Sequence, residues 1–226
     1  MAEITSARQL AGLGPLEQLR AGRLGRRLSQ LLLGLYLYGL TIALLIRSTL
    51  GNMPWDVLHQ GLATQLPASI GTWIVVMSGI VLLLWIPLRE IPGLGTLANA
   101  LLVGVFTDLN LSWIERPDNL AVRIAVVALA IAGNGLATAL YIGAQLGSGP
   151  RDGLMTGLHR RTGISLQVVR TSLEVTVVVT GFLLGGTLGF ATVAYALVIG
   201  PLVQRMLPPF IVQLRRPSES PSPTDV

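Results

Sequence analysis

The sequence predicts an all-α membrane protein with six transmembrane helices, arranged as two inverted three-helix repeats that each contain a short Pro-x-Asp motif helix or re-entrant segment. Three observations predict this fold: the composition, an internal repeat and the distribution of the arginines. Hydrophobic residues make up 51% of the 226 residues and charged residues 12%, about half the charged share of a soluble domain. Long uncharged runs supply the roughly 20 apolar residues that a membrane-spanning helix needs.

The repeat is clearest around two proline-aspartate motifs. The segment 51–62, GNMPWDVLHQGL, returns 96 residues later as the segment 147–158, GSGPRDGLMTGL. The shared skeleton is G-x-x-P-x-D-x-L-x-x-G-L, and the same offset pairs further residues without a gap: Gly39 with Gly135, Ala43 with Ala139, Gly93 with Gly189, Thr96 with Thr192 and Gly104 with Gly200. A constant offset over this length argues for duplication, and the duplicated halves of membrane transporters usually place the working site where they meet.

The apolar runs and the turn residues between them set the order of the elements. They predict spans at about 28–49, 69–88, 94–114, 122–146, 165–184 and 190–207, with the motif segments at 51–66 and 147–163. The predicted divisions are a cytosolic N-terminal tail (1–27), repeat 1 (28–114), repeat 2 (115–210) and a disordered cytosolic C-terminal tail (211–226), whose end is rich in Pro and Ser.

The arginines predict the orientation of the spans. An inside N-terminus places ten arginines on the cytosolic side, against three on the other: Arg20, Arg23, Arg26, Arg27, Arg89, Arg151, Arg160, Arg161, Arg215 and Arg216 against Arg47, Arg116 and Arg123. Both termini are then cytosolic, which requires an even number of spans. Three spans per repeat is an odd number, so the repeats are inverted if each motif segment enters and leaves on the same side. If the motif segments cross fully, the alternative is eight spans and parallel repeats, but a 16-residue segment is short for crossing.

The composition also excludes several functional classes. The formal net charge is +5, but the arginines lie at span ends, so the charge indicates membrane orientation rather than nucleic-acid binding. Cys is absent, which excludes disulfides and Cys-ligated metals, and His59 and His159 lack a ligand cluster, so no metal or other cofactor is expected. An enzyme is not expected, because the chain has no serine-protease G-x-S-G pattern, no phosphate loop and no paired carboxylates at metal-ligand spacing.

The two motifs supply the first candidate pathway residues, and these have two interpretations. Proline fits the first turn of a helix, and an acidic residue there complements the helix dipole, so each motif can be a capped helix start. Alternatively the two carboxylates are symmetric gates or ion sites, because broken helices line the binding sites of many transporters and glycine permits unusual backbone shapes. The residues concerned are Asp56, Asp152, Pro54, Pro150, Gly51 and Gly147.

Arg170 and Glu174 form the second candidate pair. They are four residues apart on the fifth span and therefore share a face. Ionisable residues within a span are costly and usually face the interior of the bundle. They form either a mutual ion pair that fixes helix packing or a pair that meets substrate or a proton. The other repeat has Ile74 and Ser78 at these positions, so the role belongs to one repeat.

Other polar and aromatic residues of the spans have structural interpretations. Amides within spans often join helices by hydrogen bonds, which is expected of Asn99, Asn134 and Gln204. Asp108, late in the third span, is expected to reach the outer interface. Tryptophans near span ends are expected to be interfacial anchors: Trp55, Trp85 and Trp113.

The motifs and several further segments resemble a known family. Together with the two Pro-x-Asp motifs, the segments 169–174 (VRTSLE), 185–186 (GG), 189–192 (GFAT) and 199–201 (IGP) resemble the YczE-type integral membrane protein family of bacteria, which is similar to the YitT-like group. The resemblance covers about 31–207. It implies a bacterial inner-membrane protein, implies transport only by association and carries over no catalytic residues.

Two functional hypotheses follow. The first is a small-molecule transporter of the bacterial inner membrane with its site at the interface of the two repeats. The second is a non-transporting membrane scaffold or assembly factor. The expected partners are membrane lipid and an unidentified small-molecule substrate, with a homodimer left open. Aspartates around an interior cavity favour transport, whereas a solid bundle favours the scaffold.

The topology prediction can be checked directly. Reporter fusions at the N-terminus and at the C-terminus should both report a cytosolic location, because the arginine bias favours that side. A periplasmic signal from either end would remove the six-span inverted arrangement.

Overall fold

The computed structural model describes residue 10 and residues 14–214. In this part of the chain it contains nine helices and no strand: α1 (Pro15–Arg20), α2 (Leu24–Ser48), α3 (Pro54–Gln65), α4 (Ile70–Leu88), α5 (Leu94–Leu111), α6 (Leu120–Gly143), α7 (Pro150–Thr162), α8 (Leu166–Leu183) and α9 (Phe190–Phe210). The end of the predicted C-terminal tail, from residue 215, lies outside the described residues.

Six of these helices are long and apolar enough to cross a membrane: α2, α4, α5, α6, α8 and α9. The all-α class and the six membrane-spanning helices predicted from the sequence are confirmed. The motif helices α3 and α7 have 12 and 13 residues. At 1.5 Å per residue they are too short to cross a hydrocarbon core of about 30 Å.

The two outer boundaries differ from the sequence prediction. The first span begins at Leu24 rather than at residue 28, and Arg27 within it is fully buried. The C-terminal tail was predicted to start at residue 211, but Ile211 and Val212 are buried, and the Val212 amide donates to the Gly143 carbonyl at 3.0 Å. Both errors have one cause: local polarity does not reveal a partner more than 60 residues away in the chain.

Helices α2 and α6 form the centre of the bundle and run antiparallel. Near the start of α2, the Arg27 guanidinium donates to the carbonyls of Ala144 and Gln145, just after the end of α6, at 2.8 and 2.6 Å. Near the start of α6, Arg123 donates to the carbonyl of Ser48, at the end of α2, at 2.6 Å. Each arginine therefore occupies carbonyl groups that a helix end leaves without an intrahelical partner.

After α2 and after α6 the chain turns back into the bundle. Thr49 and Gln145 both adopt φ 55°, and Gly51 and Gly147 follow with φ 122° and 125°. The glycine angles lie in a left-handed region that side chains rarely adopt, so glycine is required at both turns. The turns bring the starts of α3 and α7 together, although the preceding helices end at opposite ends of the bundle.

Each turn-back segment is held by the start of a later span. The Ala191 amide, at the start of α9, donates to the Leu50 carbonyl at 2.9 Å. The Gly95 amide, at the start of α5, donates to the Leu146 carbonyl at 2.6 Å. The four helices α2 to α5 begin 96 residues before the four helices α6 to α9, and these hydrogen bonds follow the same offset.

The two halves differ in how their last two spans pack. Helix α4 packs closely on α5: a Cβ atom on Gly71 would lie 2.1 Å from the Gly104 carbonyl oxygen. Asp108 caps the start of α4, accepting from the Gly71 amide at 2.8 Å and from the Ser69 hydroxyl at 2.5 Å. In contrast, the described residues of α8 and α9 are hardly in contact, and a Cβ atom on Gly200 would meet nothing within 4 Å. The bundle is therefore closed between α4 and α5 and open between α8 and α9.

The close approach of α4 and α5 predicts a large effect at Gly71. Replacing Gly71 by Ala should destabilise the protein by roughly 1–3 kcal/mol, because the added methyl group overlaps a backbone carbonyl that can move only with its helix. Gly79→Ala, on the same helix, is the matched control, since a Cβ atom there would meet nothing within 4 Å. Thermal unfolding in detergent measures both, and equal melting temperatures would contradict the packing.

Candidate functional site

A cavity of about 340 Å³ lies where the starts of α3 and α7 meet. Residues of all six membrane-spanning helices and of both motif helices line it. Its charged lining residues are Arg151, Asp152, Arg170 and Glu174. The sequence prediction singled out three of these four, and the structure brings them into one cavity.

Asp56 lies behind this cavity and not on its surface. It is 1% exposed, and its Oδ1 atom lies 2.9 Å from His59 Nδ1 and 3.8 Å from Arg151 Nη2. Burial lowers the pKa of the His59 imidazole, and the hydrogen bond with Asp56 opposes this change. The Asp56 carboxyl group therefore faces both the His59 ring and the Arg151 guanidinium.

Several buried polar atoms at the start of α3 have no hydrogen-bond partner among the described residues. They are Asn52 Oδ1, Trp55 Nε1, Asp56 Oδ2 and His59 Nε2. Buried polar atoms in proteins are nearly always hydrogen-bonded, and exceptions concentrate at sites that bind water, ions or ligands. The residues around the first turn of α3 therefore hold buried donors and acceptors that no described protein group satisfies.

Asp152 is exposed and lines the cavity. Its Oδ2 atom accepts a hydrogen bond from the Tyr141 hydroxyl at 3.1 Å. Asp152 lies in the first turn of α7, as the motif predicted, but the helix start has no side-chain cap. Tyr141 is uncharged, so its contact with Asp152 is not an ion pair.

Arg170 and Glu174 are paired across one turn of α8. Arg170 Nε lies 2.9 Å from Glu174 Oε1, and both side chains line the cavity. The two interpretations from the sequence are therefore compatible: the residues form a mutual pair, and that pair faces the space in which a ligand would lie.

The remaining predicted site residues belong to the frame of the cavity. Pro54 and Pro150 are the first residues of α3 and α7, and both line the cavity. Gly51 and Gly147 do not line it. Each sits in the turn that leads to a motif helix, where an added Cβ atom would lie 2.7 or 2.6 Å from a threonine hydroxyl near the start of α9 or α5.

The interpretation of the tryptophans was wrong for two of the three. Trp85 is 3% exposed, and its indole nitrogen donates to the Pro150 carbonyl at 2.9 Å. Trp55 is buried, with the Arg151 guanidinium 4.8 Å above the ring centroid. Trp113 is 61% exposed. Sequence position near a span end cannot distinguish these cases, because a buried partner and an interfacial location leave the same local pattern.

Sequence reasoning also missed three tyrosines that line the cavity: Tyr38, Tyr141 and Tyr195. Tyr195 donates to Asn134 Oδ1 at 2.9 Å, and Asn134 donates to the Thr41 hydroxyl at 2.9 Å. Asn134 thus joins helices as predicted, whereas Asn99 and Gln204 line the cavity. A tyrosine within an apolar span is a signal that could have pointed to a polar interior.

The spans and the cavity define a multi-pass helical membrane protein with a polar interior site. Among the described residues, no cluster of three or more His, Cys, Asp or Glu could hold a metal ion. The chain belongs to a family described as a family of unknown function (DUF6198), whose model matches residues 25–208.

Three bacterial proteins are similar to the chain. An uncharacterized protein of Haemophilus influenzae is 41% identical over 182 residues, covering 80% of this chain and 84% of that protein. The uncharacterized membrane protein YczE of Bacillus subtilis is 30% identical, covering 77% and 82%, and the uncharacterized protein YyaS of the same organism is 27% identical, covering 78% and 90%. The resemblance to the YczE-type family is confirmed. No solved structure gives a significant match.

The role of Trp85 can be tested by replacement with Phe. The change should destabilise the protein by about 1–3 kcal/mol, because it removes the hydrogen bond to Pro150 and leaves space beside α7. Trp113→Phe is the matched control, since that side chain is largely exposed. Equal shifts of the two melting temperatures in detergent would show that Trp85 does not hold the start of α7.

Proposed function

We propose that the protein is a small-molecule transporter of the bacterial cytoplasmic membrane and not an enzyme, with its substrate site at the interface of two inverted repeats. The observation that carries this proposal is the charged cavity at the point where the starts of α3 and α7 meet. A solid bundle would instead have favoured a scaffold or assembly factor.

Inverted repeats are supported by the relation between α2 and α6. They begin 96 residues apart, run antiparallel and are joined by arginines at positions that are also 96 residues apart, Arg27 and Arg123. A two-fold axis that exchanges two antiparallel membrane helices lies in the plane of the membrane, as in many secondary transporters.

Re-entrant motif segments are supported by the lengths of α3 and α7 and by their close approach. The ends of α2 and α6 lie at opposite ends of the bundle, yet Arg151 and Asp56 at the starts of α7 and α3 are only 3.8 Å apart. The positive ends of both helix dipoles and the polar atoms near them then meet inside the bilayer, as in the discontinuous helices of transporters.

The difference between the two halves supports alternating access. The α4–α5 contact is closed, and the α8–α9 contact is open. If the halves exchange these packings, α8 closes on α9 while α4 separates from α5. The cavity is lined by Arg170 and Glu174 of α8 and by Val203 and Gln204 of α9, so we expect its opening at the start of α8 and the end of α9, the end of the bundle where α2 begins. With a cytosolic N-terminus, this state faces the cytosol.

Cysteine crosslinking tests the proposal without knowledge of the substrate, because the chain has no native Cys. Ser69→Cys with Asp108→Cys reports the closed α4–α5 contact, where the native side chains are 2.5 Å apart. Ser165→Cys with Gln204→Cys is the equivalent pair, 96 residues later, at the open α8–α9 side. In native membranes treated with a short bifunctional methanethiosulfonate, both pairs should crosslink, because each molecule visits both states.

A control pair and the contrary outcome complete this experiment. Thr41→Cys with Asn134→Cys lies across the α2–α6 contact, where the native side chains are 2.9 Å apart, and should crosslink in either state. Crosslinking of the 69/108 and 41/134 pairs without any at 165/204 would indicate a single rigid packing and would favour the scaffold.

A further inference from the structure

The charges of the cavity are distributed unevenly between the two halves. All four charged lining residues come from the second half: Arg151, Asp152, Arg170 and Glu174. In the first half, the positions 96 residues earlier hold Trp55, Asp56, Ile74 and Ser78, and Asp56 is buried behind the cavity. A ligand in the cavity therefore meets charge mainly from α7 and α8.

Three of these four residues form close ion pairs. Arg170 is paired with Glu174 at 2.9 Å, and Arg151 lies between Asp56, at 3.8 Å, and the ring of Trp55. Among the described residues, Asp152 has no cation within ion-pair distance, and Arg151 and Arg170 act on it only from longer range. Its carboxyl group accepts a hydrogen bond from the Tyr141 hydroxyl. With Asp56 counted, two arginines face three carboxyl groups, and Asp152 is the one that has no close cation and is exposed to the cavity.

The rest of the lining suits an apolar body attached to a cation. Tyr38 and Tyr141 stand edge to face, with their ring centroids 6.1 Å apart, and Tyr195 and Ile199 add aromatic and aliphatic surface. Aromatic faces attract cationic groups. The volume of about 340 Å³ is at the lower end of the range, roughly 300–1,000 Å³, that small-molecule sites occupy.

We infer that the cavity takes a small organic cation, an amine with an apolar portion, whose charged nitrogen binds the carboxylate of Asp152 while its apolar portion lies among the tyrosines. This inference rests on the proposed function, since it names the class of substrate for the same site. An anion in the cavity would have to lie close to the carboxyl groups of Asp152 and Glu174, so the site disfavours it.

Binding to purified protein in detergent tests the substrate class with three probes of similar shape: 2-phenylethylamine, 2-phenylethanol and 3-phenylpropanoate. Isothermal titration should show binding of the amine and much weaker binding of the alcohol and of the carboxylate. In Asp152→Asn, amine affinity should fall by about tenfold or more, because a charge-assisted hydrogen bond is replaced by a neutral one. Asp152→Glu retains the charge and should retain part of the binding.

Asp118→Asn is the matched control, because it removes one negative charge from the exposed loop between α5 and α6. It should bind the amine as the original protein does. Unchanged amine affinity in Asp152→Asn would overturn the inference. So would equal or tighter binding of the alcohol or the carboxylate by the original protein, a result that does not depend on the folding of any variant.

The failure of this inference and the failure of transport are distinguishable. Titration in detergent requires no movement of α8 against α9, whereas crosslinking of the 165/204 pair requires no ligand. Amine binding without that crosslink would support an organic cation as the ligand and contradict transport. Crosslinking with no preference for the amine would support transport and overturn the substrate class.

Discussion

Two arginines that cap opposite ends of the central helix pair hold the rest of this structure in place. A buried helix end leaves carbonyl groups that must find donors, and lipid supplies none. Arg27 and Arg123 supply them for α6 and α2 respectively. Because these carbonyls are occupied, the chain can leave each helix and turn back into the protein, which brings the starts of the two motif helices together.

The meeting of the two motif-helix starts creates the polar site. A helix start brings unpaired amide groups and the positive end of the dipole, and two such starts meet beside the cavity. Asp56 and Asp152 occupy equivalent positions in the two motifs, yet one is buried against His59 and Arg151 and the other is exposed to the cavity. Equivalent positions with different neighbours thus give one buried carboxyl group and one that lines the cavity.

Sequence reasoning succeeded where the signal is local. The number of spans, the motif positions and the Arg170–Glu174 pair follow from apolar length, turn residues and helical spacing, and the structure contains all of them. Arg27 shows the limit of this reasoning. It was counted as a topological charge in a polar tail, but it is fully buried against α6. Its local sequence is that of a basic flank, and its partner lies more than 100 residues away.

The sequence by itself determined that the chain spans a membrane, how many helices are apolar enough to cross it and where the two motif helices begin. These properties depend on the transfer of local segments into hydrocarbon and on glycine and proline at fixed positions. Only the tertiary structure decided that Trp85 contacts the start of α7, that three tyrosines line the cavity and that Asp152 has no cation within ion-pair distance among the described residues. These facts depend on which helices pack together. The same set of spans can place its side chains against different neighbours, and the close packing of the helices selects one of these arrangements.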